Sequence, residues 1–273
     1  MENKTVVLDV PYKKAGLDPE GCHAELDLYC AGPYEGILLK KRPAVVICPG
    51  GGYEYCSERE AEPIAMRFAA YGIQAFVLRY SCLKKFPTNL LEAAQAMAYV
   101  RKNAAEFGVD PDKIMICGFS AGGHLAASLA VHWKKSFITD ALGGESGLYR
   151  PNGAVLCYPV ITAGEKRHDG SIVNIAGDDE TLRELVSLEK HVTKDVPPVF
   201  LWHTADDGCV PVENTLMFAA ALAEKKISFA CHIFESGAHG LALCDDCTAS
   251  GNEHFNPDCG NWFPMAVDWI KLR

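Results

Sequence analysis

KIMICGFSAGGHLAASLAVHW, Lys113–Trp133, places five residues of strand character directly before Gly118-Phe119-Ser120-Ala121-Gly122, with a helix pattern immediately after. A strand, a GxSxG pentad and a helix in unbroken succession describe a sharp turn with a serine hydroxyl at its tip. Small flanking residues let strand and helix approach closely enough to make it. The helix amino terminus beside the serine also favours developing negative charge. At this glycine and serine content about 0.08 such pentads are expected by chance, and fewer in this context.

Working outward, strand-length apolar runs alternate with segments of helical spacing. Strands are expected at Glu25–Cys30, Ala44–Cys48, Gln74–Arg79, Lys113–Cys117, Ala154–Tyr158, Val199–Trp202 and Phe229–Phe234, and helices near 58–71, 88–107, 121–133, 213–226 and 261–271. From Ala44 onward the runs are continuous rather than alternating, as for strands covered on both faces. The expected fold is therefore α/β, a mostly parallel sheet with helices on both faces and an antiparallel lead-in over the first 30 residues. The 273 residues contain no linker, charge block or repeat, so one domain over 1–273 is expected, with a short cap inserted at about 160–196.

Composition removes several classes. A charge of −9 argues against a nucleic-acid partner. No apolar run approaches 18 residues and MENKTVVLDV lacks a signal-peptide pattern, so a soluble cytoplasmic chain without a membrane partner is expected. The 12 cysteines are scattered, several inside apolar runs (Cys48, Cys117, Cys157, Cys231), and most read as buried hydrophobes.

A serine nucleophile needs a base and a group that orients it. His239, in the loop Glu235–Gly240 after the last expected strand, is the expected base; His232 lies within that strand. The acid is expected in the loop after PPVFLWH, where Asp206 and Asp207 are adjacent and equivalent by residue type, one of them a turn or cap residue. Oxyanion donors are expected from the Ala121 N–H and from the glycine loop Gly50-Gly51-Gly52. That loop lacks the GxGxxG spacing and the lysine of a phosphate cradle.

In this order, CPGGGY, GFSAGGHLA, PPVFLWHTADDGCVPVEN, HGLAL and NPDCGNWFPMAVDWI resemble α/β-hydrolase esterases, more narrowly bacterial acetyl esterases of the acetylxylan esterase and sugar-hydrolase group. The resemblance spans nearly the whole chain. It implies Ser120, Asp207 and His239 as the catalytic set, Asp207 being the aspartate four residues before Pro211. It also implies Gly51 and Gly52 as oxyanion donors, with Pro49 where related esterases carry histidine. The activity implied is hydrolysis of small acyl esters, acetyl foremost, of sugars or xylo-oligosaccharides, through an acyl-serine and without a metal or organic cofactor. An aminopeptidase-like serine hydrolase and a catalytically idle binding module are the alternatives. The expected partner is a small-molecule ester; homo-oligomerisation is left open.

Tyr53, Phe119 and Tyr158 are candidates for lining the acyl pocket or for the core. His124 is expected to pack on its helix. His203 either supports the acidic loop or is buried at a strand end. Cys244-x-x-Cys247, with His254 and Cys259, is read as a thiol cluster rather than as the zinc-ligand or redox set it superficially resembles.

Overall fold

The computed structural model describes residues 4–32 and 41–273; the first three residues of MENKTVVLDV lie outside the described residues. Eight strands form one sheet: β1 Lys4–Val7, β2 Glu25–Tyr29, β3 Arg42–Cys48, β4 Gln74–Arg79, β5 Val109–Phe119, β6 Gly153–Cys157, β7 Val199–Thr204 and β8 Phe229–Phe234. Their order is β1-β2-β4-β3-β5-β6-β7-β8. β1 and β2 join by antiparallel pairing, the lead-in expected from sequence, and β2 pairs antiparallel with β4. Every other pairing is parallel.

The continuous apolar runs are explained by what each face touches. Along β3, Ala44, Val46 and Cys48 enter one core layer while Val45 and Ile47 enter the other, and β5 divides Ile114 and Ile116 from Met115 and Cys117 in the same way. Period-2 alternation is present, but both sides are dry, so every position selects an apolar residue. On the first face pack α2 (Thr88–Lys102), α3 (Ala121–His132) and α7 (Glu213–Glu224); α1 (Glu62–Ala70) and α8 (Trp262–Lys271) cover the second. Between α3 and β6 lies α4, Ser136–Leu142. The cap stretch between β6 and β7 carries two short helices, α5 (Asp169–Ile175) and α6 (Glu180–Leu185). Among the described residues no helix is long and apolar enough to cross a membrane.

After β3 the chain moves to β4 on one side, then returns to lay β5 on the other, so strand order reverses between β3 and β5. The carboxyl ends of those neighbours carry the glycine loop and Ser120, at the crevice where open α/β sheets bind ligands.

Two buried histidines tie α3 to the cap. His124 donates from Nε2 to the Val186 carbonyl at 2.9 Å and accepts from the Tyr53 hydroxyl at 2.8 Å, while His132 donates from Nε2 to the Leu185 carbonyl at 3.1 Å. Burial pushes both imidazoles down to about 4. The folded protein therefore refuses protons that the unfolded chain binds below about 6.5. Stability should be fully present above that pH and fall as pH drops toward about 4, by up to roughly 1.4 kcal/mol per pH unit for each histidine. Urea unfolding between pH 7 and pH 4.5 should show this slope, and His124→Gln should remove about half of it.

Candidate active site

Ser120 occupies a backbone conformation that side chains rarely adopt, φ 53° and ψ −118°. Holding a serine there costs on the order of 1–3 kcal/mol and needs support from its surroundings. The support is visible: the Ser120 N–H donates to the Cys157 carbonyl at 3.0 Å, and its own carbonyl accepts from His124 at 3.0 Å and Val160 at 3.1 Å. The glycines around it are a packing requirement. A Cβ on Gly118 would lie 2.1 Å from the Gly122 carbonyl oxygen, and one on Gly122 would lie 2.1 Å from that of Cys48 and 2.3 Å from that of Pro49.

The structure brings three sequence-predicted residues together from separate strand ends. His239, after β8, lies 2.8 Å through Nε2 from Ser120 Oγ and 2.7 Å through Nδ1 from Asp207 Oδ2. Asp207, after β7, accepts through Oδ1 from the Cys209 and Val210 N–H groups at 2.8 and 2.9 Å. Asp206 turns the other way and accepts the Gly237 N–H at 2.8 Å, bracing the two loops. Adjacent aspartates that residue type left equivalent thus take different jobs. Burial alone would raise the Asp207 carboxyl, but hydrogen bonds from His203 and His239, the His239 charge and the Cys209 N–H hold it well below the usual carboxylate range. His203 does both things weighed for it. It is buried at the end of β7, and its Nε2 lies 3.2 Å from Asp207 Oδ2 and 3.0 Å from the Val210 carbonyl. Two acceptors around Nε2 assign the hydrogen there.

Gly51 and Gly52 have φ of +119° and +66°, and the loop folds back so that the Gly51 carbonyl receives the Glu54 N–H at 2.9 Å. No acceptor among the described residues takes the N–H of Gly51, Gly52 or Ala121. Ser120, His239, Gly51 and Gly52 open onto a cleft of about 360 Å³ that Tyr55, Arg59, Glu60, His168 and Cys209 also line.

Tyr53, Phe119 and Tyr158 belong to the core alternative, not to the lining. Tyr53 is buried with its hydroxyl on His124. Phe119 points to the far face of the sheet, its ring 5.9 Å from that of Trp262. The Tyr158 hydroxyl is 2.7 Å from Glu60 Oε1 and its ring packs edge-on against His239 at 5.1 Å. An aromatic next to a loop motif in sequence can face either side of a two-faced sheet, and these face the dry ones. Sequence reasoning missed Tyr55, Arg59, Glu60 and His168; the first three lie within ten residues of the glycine loop, and His168 was one of the histidines following the elbow. His168 accepts the Ser171 N–H through Nδ1 at the start of α5, so its Nε2 carries the hydrogen. Burial and the nearby His239 lower its pKa.

The late cysteines do not converge with His254. The Cys244 thiol points to the Ala242 carbonyl, that of Cys259 to the Ser236 carbonyl, while Cys247 meets Arg67 and Asp246, and His254 meets Ser250. Cys244 and Cys259 are buried under the histidine loop, where the Trp262 indole N–H donates to the Ala242 carbonyl at 2.9 Å. Among the described residues, one group with metal-ligating atoms in mutual reach is Asp245, Asp246 and Cys247, which includes a single member of that set.

Comparison with known proteins places the chain among relatives of the same fold. The acetyl ester-xyloside bifunctional hydrolase from Caldicellulosiruptor lactoaceticus superposes with a TM-score of 0.80 at 34% identity, over 93% of this chain and 90% of that one. The chain belongs to the α/β-hydrolase esterases. Within that family, the carboxylesterase Cest-2923 from Lactobacillus plantarum WCFS1 superposes with a TM-score of 0.84 at 28% identity, covering 99% and 97% of the two chains. The BD-FAE family model matches residues 26–152. Endo-1,4-beta-xylanase B of Butyrivibrio fibrisolvens is 42% identical over 225 residues, 77% of this chain but 34% of that protein. The chain spans about a third to a half of the length of the curated relatives it matches.

The two aspartates should separate cleanly in the rate at which Ser120 reacts with a fluorophosphonate. Asp207→Asn should slow labelling by about 10³–10⁴-fold, because the imidazole loses the acceptor that sets its tautomer. Asp206→Asn should stay within about tenfold, its loss being one loop-bracing hydrogen bond.

Proposed function

We propose that the chain is a serine carboxylesterase that removes small acyl groups, acetyl foremost, from a sugar or short xylo-oligosaccharide. The observation that carries this reading is the cleft itself. It opens on a serine hydrogen-bonded to a histidine and on Gly51 and Gly52, whose N–H groups have no acceptor among the described residues, and Tyr55, 61% exposed, lines it beside polar neighbours. A volume of about 360 Å³ lies near the lower end of small-molecule sites, roughly 300–1,000 Å³. Glu54, Ser57 and His168 suit a hydroxyl-rich alcohol better than a long acyl chain. The relative from Caldicellulosiruptor lactoaceticus, an acetyl ester-xyloside hydrolase by name, supports the same class.

In this mechanism His239 takes the Ser120 proton as Oγ attacks the ester carbonyl. The oxyanion is received by the Ala121, Gly51 and Gly52 N–H groups. His239 returns its proton to the departing alcohol, leaving an acyl-serine, and water repeats the sequence to release the acid. Asp207 stays ionised and stabilises the imidazolium at each step.

Aryl acetate, butyrate and octanoate, acetylated xylo-oligosaccharides and aminoacyl anilides, assayed side by side, test the reading. kcat/KM should be highest for acetate, acetate should be released from the oligosaccharides, and Ser120→Ala should lower turnover by about 10⁴-fold or more. Faster turnover of octanoate would overturn the small-acyl assignment, and faster turnover of the anilides would favour a peptidase.

A further inference from the structure

Between the glycine loop and α1 lies the 3-10 turn Glu58–Glu60, which the mechanism above leaves unused. Two of its side chains reach the loop that carries His239. Arg59 donates from Nη2 to the Gly240 carbonyl at 2.9 Å and from Nε to the Thr248 carbonyl. Glu60 is 4% exposed, at the floor of the cleft. Its Oε2 accepts the Gly50 N–H at 2.8 Å, and its Oε1 accepts the Tyr158 hydroxyl at 2.7 Å. The Tyr158 oxygen in turn accepts the Ala242 N–H at 2.9 Å, and its ring packs on His239. Gly50 is a wedge between this carboxylate and the nucleophile: a Cβ there would lie 2.6 Å from Glu60 Oε2 and 3.1 Å from Ser120 Cβ.

Burying a carboxylate against neutral donors costs free energy that an apolar side chain of similar shape would avoid. Here each oxygen is committed to a different piece of the reaction machinery. We propose that Glu60 is a positioning residue, one carboxylate fixing the glycine loop against Ser120 and, through Tyr158, the backbone of the histidine loop. The proposal rests on the reading that the Gly51 and Gly52 N–H groups receive the oxyanion. Those donors work only at hydrogen-bond distance from the oxygen as it becomes charged, and a shift of about 1 Å costs on the order of 10²-fold in rate. Arg59 holds the far side of the same gap.

The test compares Glu60→Gln, Glu60→Ala, Tyr158→Phe and the exposed-neighbour control Glu58→Gln, with active sites titrated by a fluorophosphonate so that kcat refers to competent molecules. Glu60→Ala should lose about 10²-fold in kcat and Glu60→Gln about tenfold, since glutamine keeps one acceptor. KM should stay within about threefold and the inhibition constant of an aryl trifluoromethyl ketone should rise as kcat/KM falls. Tyr158→Phe combined with Glu60→Gln should cost less than the product of the two, because both break one hydrogen bond. If Glu60→Ala does not fold, Glu60→Gln and Tyr158→Phe carry the same comparison. Wild-type kcat per titrated site in the folded variants, with losses only in melting temperature or active fraction, would overturn the proposal and leave the esterase reading intact. A wild-type protein that turns over no aryl ester would overturn that reading and the proposal together.

Discussion

Backbone meets backbone around Ser120 at distances that leave no space for side chains, and much of the structure follows from that approach. Gly122 lies against the carbonyls of Cys48 and Pro49, so the first turn of α3 rests on the end of β3. The contact fixes the glycine loop beside the nucleophile. It also sets the amino end of α3, with its unsatisfied N–H groups, at the centre of the crevice. The strain in the serine backbone is borne by hydrogen bonds from neighbouring segments, notably the Cys157 carbonyl on β6 and the Val160 N–H just beyond it.

Charge is arranged around this point with little freedom. Asp207 uses one oxygen on two backbone N–H groups and the other on two histidines, so its carboxylate is fully engaged. Glu60, on the opposite side, is likewise spent on two donors from two segments. Both carboxylates serve loops rather than helices, and loops need such ties because their own backbone pairing is sparse. The buried histidines of α3 extend the same logic to the cap through the Val186 and Leu185 carbonyls.

Much of this was legible in the chain, for identifiable reasons. Continuous apolar runs read as strands because two dry faces demand apolar residues at every position, and Gln74–Arg79 and Phe229–Phe234 match their strands end to end. The elbow was legible because steric demand leaves a compositional trace, glycine at Gly118, Gly122 and Gly123. β1 was not, since four mostly exposed residues carry no burial pattern. Tyr53, Phe119 and Tyr158 read as lining or core with equal ease, because adjacency to a motif says nothing about which face of the sheet a ring occupies.

The amino-acid sequence by itself determined the strand–helix alternation, the strained serine turn and the loops that carry the histidine and the aspartates. Each is imposed by short-range sterics or by periodic burial. The family resemblance named Asp207, but only the tertiary structure decided that Asp206 braces the Gly237 N–H, that the late cysteines and His254 do not form one ligand set, and that Glu60 ties the glycine loop to the histidine loop. Those outcomes depend on side-chain direction across segments far apart in the chain, 180 residues for Arg67 and Cys247. Direction is fixed when strands from distant parts of the chain register side by side, and no local pattern records it.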